Sequence, residues 1–201
     1  MADPDAGALR PREVVRRVPH LRQFDDDGVM AAVRDLTAAA PAYFWTVPAA
    51  TGDHHHPLCR GDHGLWAHTL MVATVVERLA DSYVERGLIA RGDVDLARAA
   101  AVLHDQRKNG PPGDPAPASV PDHDLRMAAV VRESPLPDRV ADAVGAHMGP
   151  WYDGPEPETP LADLVHAADM VASTATITPK VHGPVPEELA AIGVEGVPPD
   201  G

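Results

Sequence analysis

The 201-residue chain carries 30 Asp and Glu against 17 Lys and Arg, a formal charge of −13, and only 4% of it is aromatic. Lysine occurs only as Lys108 and Lys180, which argues against binding DNA or another long polyanion by bulk charge, because that mode neutralises phosphates with many basic side chains. Cys59 is the single cysteine, so an intramolecular disulfide framework and a thiolate zinc cluster are excluded.

The length suits one domain with a sizeable core, and the scarcity of aromatics means that Ala, Val and Leu must fill it. No apolar run approaches the ~18 residues of a membrane span, and the opening MADPDAGALRPREVV lacks the apolar core of a signal peptide. A soluble, cytoplasmic protein with no membrane partner is expected. The acidic, lysine-poor composition resembles that of chains from halophilic or GC-rich sources.

Residues 1–10 read as a loose tail. Pro11 can open a short helix through Val18, with Val14, Val15 and Val18 on one side. Asp25, Asp26 and Asp27 offer caps for a helix over about Gly28–Ala40, where Val29, Ala32, Val33 and Leu36 recur at helical spacing and Pro41 ends the run. Residues 43–63 are irregular. His54 and His55 read there as a solvated loop, whereas His56, Arg60 and His63, nearer the next helix, are candidates to line a site mouth.

That next helix spans about Gly64–Arg86 and is closed by Gly87. Its apolar stripe runs through Leu65, Val72, Val75, Val76 and Leu79, and His68 falls on the buried side. A helix over about Val94–Asp105 follows, ending in the run Ala99-Ala100-Ala101-Val102-Leu103-His104-Asp105. Adjacent helical residues are about 100° apart, so His104 and Asp105 cannot easily be divided between core and solvent. Gly110–Pro121, rich in Pro and Gly, excludes regular structure and reads as a spacer or a flap over those two residues.

Asp122 can cap the following helix, with His123 in its first turn on a face with Met127, Val130 and Val131. There the helix dipole disfavours imidazolium, which suits a neutral, metal-ligating ring. Pro135 and Pro137 mark another helix start, with Val140, Val144 and His147 on one stripe and a stop at Gly149-Pro150. Thr159-Pro160 reads as N-cap and first residue of a helix to about Ser173 that turns Asp169 inward, with His166 at its surface. Beyond Thr174 a tail or strap is expected, with one turn at Glu187–Ile192. No repeat and no alternating strand pattern is visible, and the fold class is all-α, a single-domain bundle of six or seven helices.

Six inward polar residues remain: His68, His104, Asp105, His123, His147 and Asp169. One buried histidine is ordinary; six polar groups on converging faces are costly unless they share a purpose. Imidazole and carboxylate without thiolate suit one or two divalent ions drawn from Mn, Fe, Co, Ni, Zn or Mg. A carboxylate can bridge two cations and imidazole cannot, which makes Asp105 the natural pivot of a two-metal site.

The segments GLWAHTL, AVLHDQRKNG and HAADMVAS resemble the HD-domain metal-dependent phosphohydrolases, whose signature is His…His-Asp…Asp. The resemblance covers about residues 42–173 and implies a helical bundle of the HD-domain type, with residues 1–41 as an N-terminal helical extension and residues 174–201 as a Pro/Gly-rich tail. It implies that His68, His104, Asp105 and Asp169 bind one metal, that His123 and His147 match the extra histidines of binuclear members with Asp105 bridging, and that Lys108 lies near the metals. FWTVPAATGDHHHP ahead of GLWAHTL is also similar to the HD exoribonuclease branch and to archaeal HD proteins. Gln106-Arg107 departs from the Ile-Gly common in the family, which bears on substrate approach rather than on metal binding.

The activity implied is metal-assisted hydrolysis of a phosphomonoester or phosphodiester. Bound metal brings the pKa of water toward ~7 and steadies the charge that builds on phosphoryl oxygens. Asp105 and Lys108 are the catalytic candidates; Lys108, Arg107 and Arg60 are the candidates for phosphate contact. Trp66 and Trp151 could stack on a base, though packing is the simpler role for both. The expected partner is a small phosphorylated substrate of nucleotide type, with short RNA ranked behind it. A di-iron HD-fold oxygenase and a non-catalytic nucleotide or metal sensor stand as alternatives.

Overall fold

A computed structural model describes residues 9–50, 53–152 and 154–197, with the Trp151 and Tyr152 side chains outside the described set, as is most of the expected N-terminal tail. The described residues form eight α-helices: α1 (Pro11–Arg17), α2 (Asp27–Ala38), α3 (Gly64–Glu85), α4 (Val94–Leu103), α5 (His123–Arg132), α6 (Asp138–Gly145), α7 (Pro160–Ala172) and α8 (Glu187–Ala191). The expected all-α architecture is therefore what forms, with the short α8 exceeding the expected six or seven.

α4 is the axis. Every residue of it except Arg98 is buried, and α2, α3, α6 and α7 pack around it. A helix buried on all sides must be apolar all round, and Ala97, Ala99, Ala100 and Ala101 keep it narrow enough for neighbours on several sides. Its polar Asp95 is satisfied by the backbone N–H groups of Asp25 and Asp26, at 2.9 and 2.7 Å, and by Arg98 at 2.6 Å. That carboxylate ties α4 to the start of α2, which Asp26 caps through Gly28 and Val29.

α3 is the longest helix, and its first turn is held tightly. A Cβ on Gly64 would stand 2.1 Å from the Cys59 carbonyl oxygen, so only glycine fits. Just before it, His63 takes a left-handed backbone (φ 64°), and its Nδ1–H donates to the Trp45 carbonyl at 2.6 Å. Gly87, with φ 69°, closes the far end as expected. Trp66 is a packing residue: it is 1% exposed, donates to the Arg17 carbonyl at 2.9 Å, and has the Arg17 guanidinium 5.6 Å from its ring.

Two local expectations fail. Asp122 precedes α5 but does not cap it, because its carboxylate is taken by Arg126 at 2.7 Å. The segment after Thr174 is more than a strap with one turn. Two short strands, β1 (Lys180–His182) and β2 (Glu195–Val197), pair in parallel across α8, and Val181, Leu189 and Val194 are buried. Three-residue strands show no alternation long enough to read in sequence, and burial of three apolar side chains against the bundle is what holds them. No helix among the described residues is long and apolar enough to cross a membrane.

Candidate metal centre

Five segments deliver six polar side chains to the middle of the bundle. α3 carries His68; α4 ends at Leu103, so His104 is its C-cap and Asp105 lies in the turn after it. His123 is the first residue of α5, Asp169 comes from α7, and His147 sits two residues beyond α6 rather than on its stripe. All six are at most 3% exposed.

Asp105 stands between two groups. Its Oδ2 faces the Nε2 atoms of His104 at 3.5 Å and His68 at 3.8 Å, and His68 lies 3.1 Å from Oδ1 of Asp169. Its Oδ1 faces Nε2 of His123 at 3.2 Å and of His147 at 3.5 Å. Two atoms each about 2.1 Å from a shared cation stand roughly 3.0–3.4 Å apart, so the spacing suits ligands sharing an ion. His68, His104 and Asp105 form one group of suitable donors, and Asp105, His123 and His147 form the other.

The imidazoles are oriented for this. The Nδ1–H groups of His104, His123 and His147 donate to the carbonyls of Ala101, Val120 and Val144, each three residues earlier, at 2.8, 2.8 and 2.7 Å. A carbonyl only accepts, so Nδ1 must hold the proton and a neutral ring presents its Nε2 lone pair inward. The Nε2 atoms of His104 and His147 are buried and make no hydrogen bond. Buried acceptors of this kind are expensive unless something positive meets them, and the donor set of imidazoles and carboxylates fits a divalent ion.

Both carboxylates at the centre are held ionised. Burial alone would raise the pKa of Asp105, but the ammonium of Lys108, at 2.5 Å, with His104, His123 and His147, holds it well below the usual carboxylate range. Asp169 behaves likewise: burial opposes ionisation, and His68 beside it, with His104 and His147, overcomes that. Burial lowers His104 to about 4, so it stays neutral at physiological pH.

A cavity of about 820 Å³ opens onto this centre, with Lys108, His123 and Asp169 in its floor. Val47 to Ala50 form part of the wall, and Pro115 to Ser119 of the Pro/Gly-rich loop form more of it, so that loop covers the site rather than acting as a remote spacer. The loop is held there: Asn109 and Ala116 exchange two hydrogen bonds at 2.7 and 3.0 Å, and the Tyr43 hydroxyl donates to the Gly110 carbonyl at 2.6 Å.

The His-rich loop departs from its sequence reading at His55. His54 is exposed as expected, at the lining of the cavity, but His55, also expected in solvent, is 6% exposed with its ring 4.6 Å from that of His68. His55 Nε2 lies 3.3 Å from Ser173 Oγ, which lies 3.2 Å from Asp169 Oδ1. Because the carboxylate can only accept, the hydroxyl donates to Asp169 and receives from His55. The expected mouth residues do other work. His56 accepts from the Leu58 N–H, His63 braces α3, and Arg60 binds Asp53 and the His55 carbonyl.

Arg60 and Arg107 therefore do not join Lys108 in the cavity lining. Gln106 faces the bundle interior, donating to Thr37 Oγ1 at 3.0 Å and to the Val102 carbonyl at 3.1 Å, so this residue of the unusual Gln-Arg pair secures α2. His166, expected at the surface, donates to the His147 carbonyl at 2.7 Å and supports that turn. Nothing in the histidine triplet marks His55 out, since an irregular loop has no period from which to read an inward face.

A protein-family model described as HD domain matches residues 65–174. No curated protein and no solved structure matches the chain.

Proposed function

The chain belongs to the HD domain family, and on that premise we propose that it is a metal-dependent phosphohydrolase, cleaving a phosphomonoester or phosphodiester of a small nucleotide-like substrate with metal-activated water. The observation that carries this reading is the division of Asp105: its two oxygens face different histidine pairs, the arrangement by which one carboxylate holds two cations side by side. His68, His104, Asp105 and Asp169 would hold one ion; His123 and His147, with Asp105, would hold the second. Divalent ions bound there supply acidified water and positive charge for the phosphoryl oxygens.

The chain's own groups do the rest. Carbonyl-anchored Nδ1–H groups fix three imidazoles with Nε2 aimed inward. Lys108, in the floor of the cavity beside Asp105, is placed to meet a phosphoryl oxygen and to balance charge during attack. Arg60 and Arg107, outside the cavity lining, are assigned no phosphate contact in this reading. The reading places the protein in the cytoplasm, acting on a small molecule in preference to short RNA, and not on DNA or membranes.

The test is metal analysis of protein purified without chelators, run beside phosphate release from a nucleotide panel and cleavage of bis-p-nitrophenyl phosphate with added Mn. Turnover that is lost in Asp105→Ala supports the proposal. Iron with an oxygen-dependent spectral change and no phosphate release would replace it with an oxygenase, and ligand binding without turnover would replace it with a sensor.

A further inference from the structure

Room and charge disagree in the cavity above the metal centre, and the disagreement bears on what can enter. At about 820 Å³ it is as large as the sites that hold small organic ligands. Lys108 is the one lysine in the lining and no arginine is found there among the described residues; that ammonium is already 2.5 Å from Asp105. Besides the histidines His54, His55 and His123 and the carboxylate of Asp169, the remaining wall is largely apolar or neutral: Val47, Pro48, Ala49 and Ala50 on one side, the Pro115–Ser119 stretch opposite, and Met148 and Met170.

Phosphates are held in proteins by charge-assisted contacts, chiefly from Arg and Lys. Cations at the histidine cluster can serve one phosphoryl group. A second or third would meet a wall of mainly Ala, Val and Pro with no further lysine or arginine among the described residues to pair with it, in a chain whose formal charge is −13, and burying an uncompensated charge is strongly unfavourable.

Resting on the phosphohydrolase reading above, we infer that the substrate carries a single phosphoryl group on an uncharged and substantially apolar body, and that polyphosphates and oligonucleotides are selected against. Among nucleotides this means a monophosphate.

The experiment compares kcat/KM of the Mn-loaded full chain for 1-naphthyl phosphate, AMP and ATP, in the wild type and in Ala118→Arg. Ala118 is an exposed residue of the cavity wall, so the new guanidinium can be added without disturbing the core. The wild type is expected to prefer both monophosphates over ATP at least tenfold, and Ala118→Arg to narrow that gap about tenfold. Comparable turnover of ATP by the wild type, or an unchanged preference in Ala118→Arg, overturns the inference while leaving phosphohydrolase activity standing. Absence of phosphate release from all three overturns the parent reading, and this inference with it.

Discussion

The helix α3 passes through two buried histidine clusters of opposite character. Near its start His68 meets His104, Asp105 and Asp169, with His123 and His147 on the other side of Asp105. Two turns further on, Thr74 receives the His20 Nε2–H at 2.9 Å and the His182 backbone N–H at 2.9 Å, while donating its own proton to the Leu70 carbonyl. That second cluster includes no carboxylate: its polar ties end on a hydroxyl, and it stitches the N-terminal segment and β1 to α3. Both regions bury imidazole. Only the first points several fixed lone pairs at shared carboxylates, and that separates a candidate metal centre from a structural tie.

The strongest way to break this contrast is Asp105→Ala, which removes the pivot of both donor groups. Metal content should fall to background and turnover by about a thousandfold or more, with helicity by circular dichroism retained; full activity would end the assignment. Lys108→Ala should leave metal content in place while lowering kcat/KM for a phosphate ester by about 10–100-fold, and unchanged kinetics would remove Lys108 from the site. His55→Ala tests the chain from His55 through Ser173 to Asp169. Loss of such a supporting contact should weaken metal affinity about tenfold, read by titration with Mn, and leave the fold intact.

At the other cluster the expected pattern inverts. His20→Ala should cost about 2 kcal/mol of stability, through a lost hydrogen bond and a cavity, and change metal content not at all; an altered metal content would erase the contrast. The smallest effect is in pH. Burial lowers the pKa of His20 to about 3 from its ordinary 6.5, so the unfolded chain takes up a proton that the folded chain refuses. Stability is then full above about pH 6.5 and falls as pH drops toward 3, by at most about 1.4 kcal/mol per pH unit for this group. His55, lowered by burial to about 3, and His104, lowered to about 4, act with the same sign. Denaturant unfolding at pH 7 and pH 5 should show the decline, shallower in His20→Gln.

Much of this was legible because helices announce which way their residues face. The spacing of Leu65, Val72 and Val76 turned His68 inward, and Leu161, Val165 and Ala172 did the same for Asp169, as their burial bears out. The cap at Thr159 and the stop at Gly87 were readable as local chemistry. The loop at residues 53–63 was read the wrong way round: His55 is buried while His56 caps a turn and Arg60 binds its own loop. The small parallel sheet escaped notice because its strands are three residues long and gain their stability from Val181, Leu189 and Val194 against the bundle.

By itself the sequence determined that the chain is a helical bundle with an Ala-rich buried helix running up to His104-Asp105, and that histidines and carboxylates face inward from separate segments. Only the tertiary structure decided which oxygen of Asp105 faces which histidine, which member of the histidine triplet enters the core, and that Lys108 alone among the three expected cations reaches the cavity. The helical period orients a side chain about its own axis. Packing between segments as distant in sequence as those of His55 and Ser173 sets where that direction ends, and an irregular loop has no axis from which to read it.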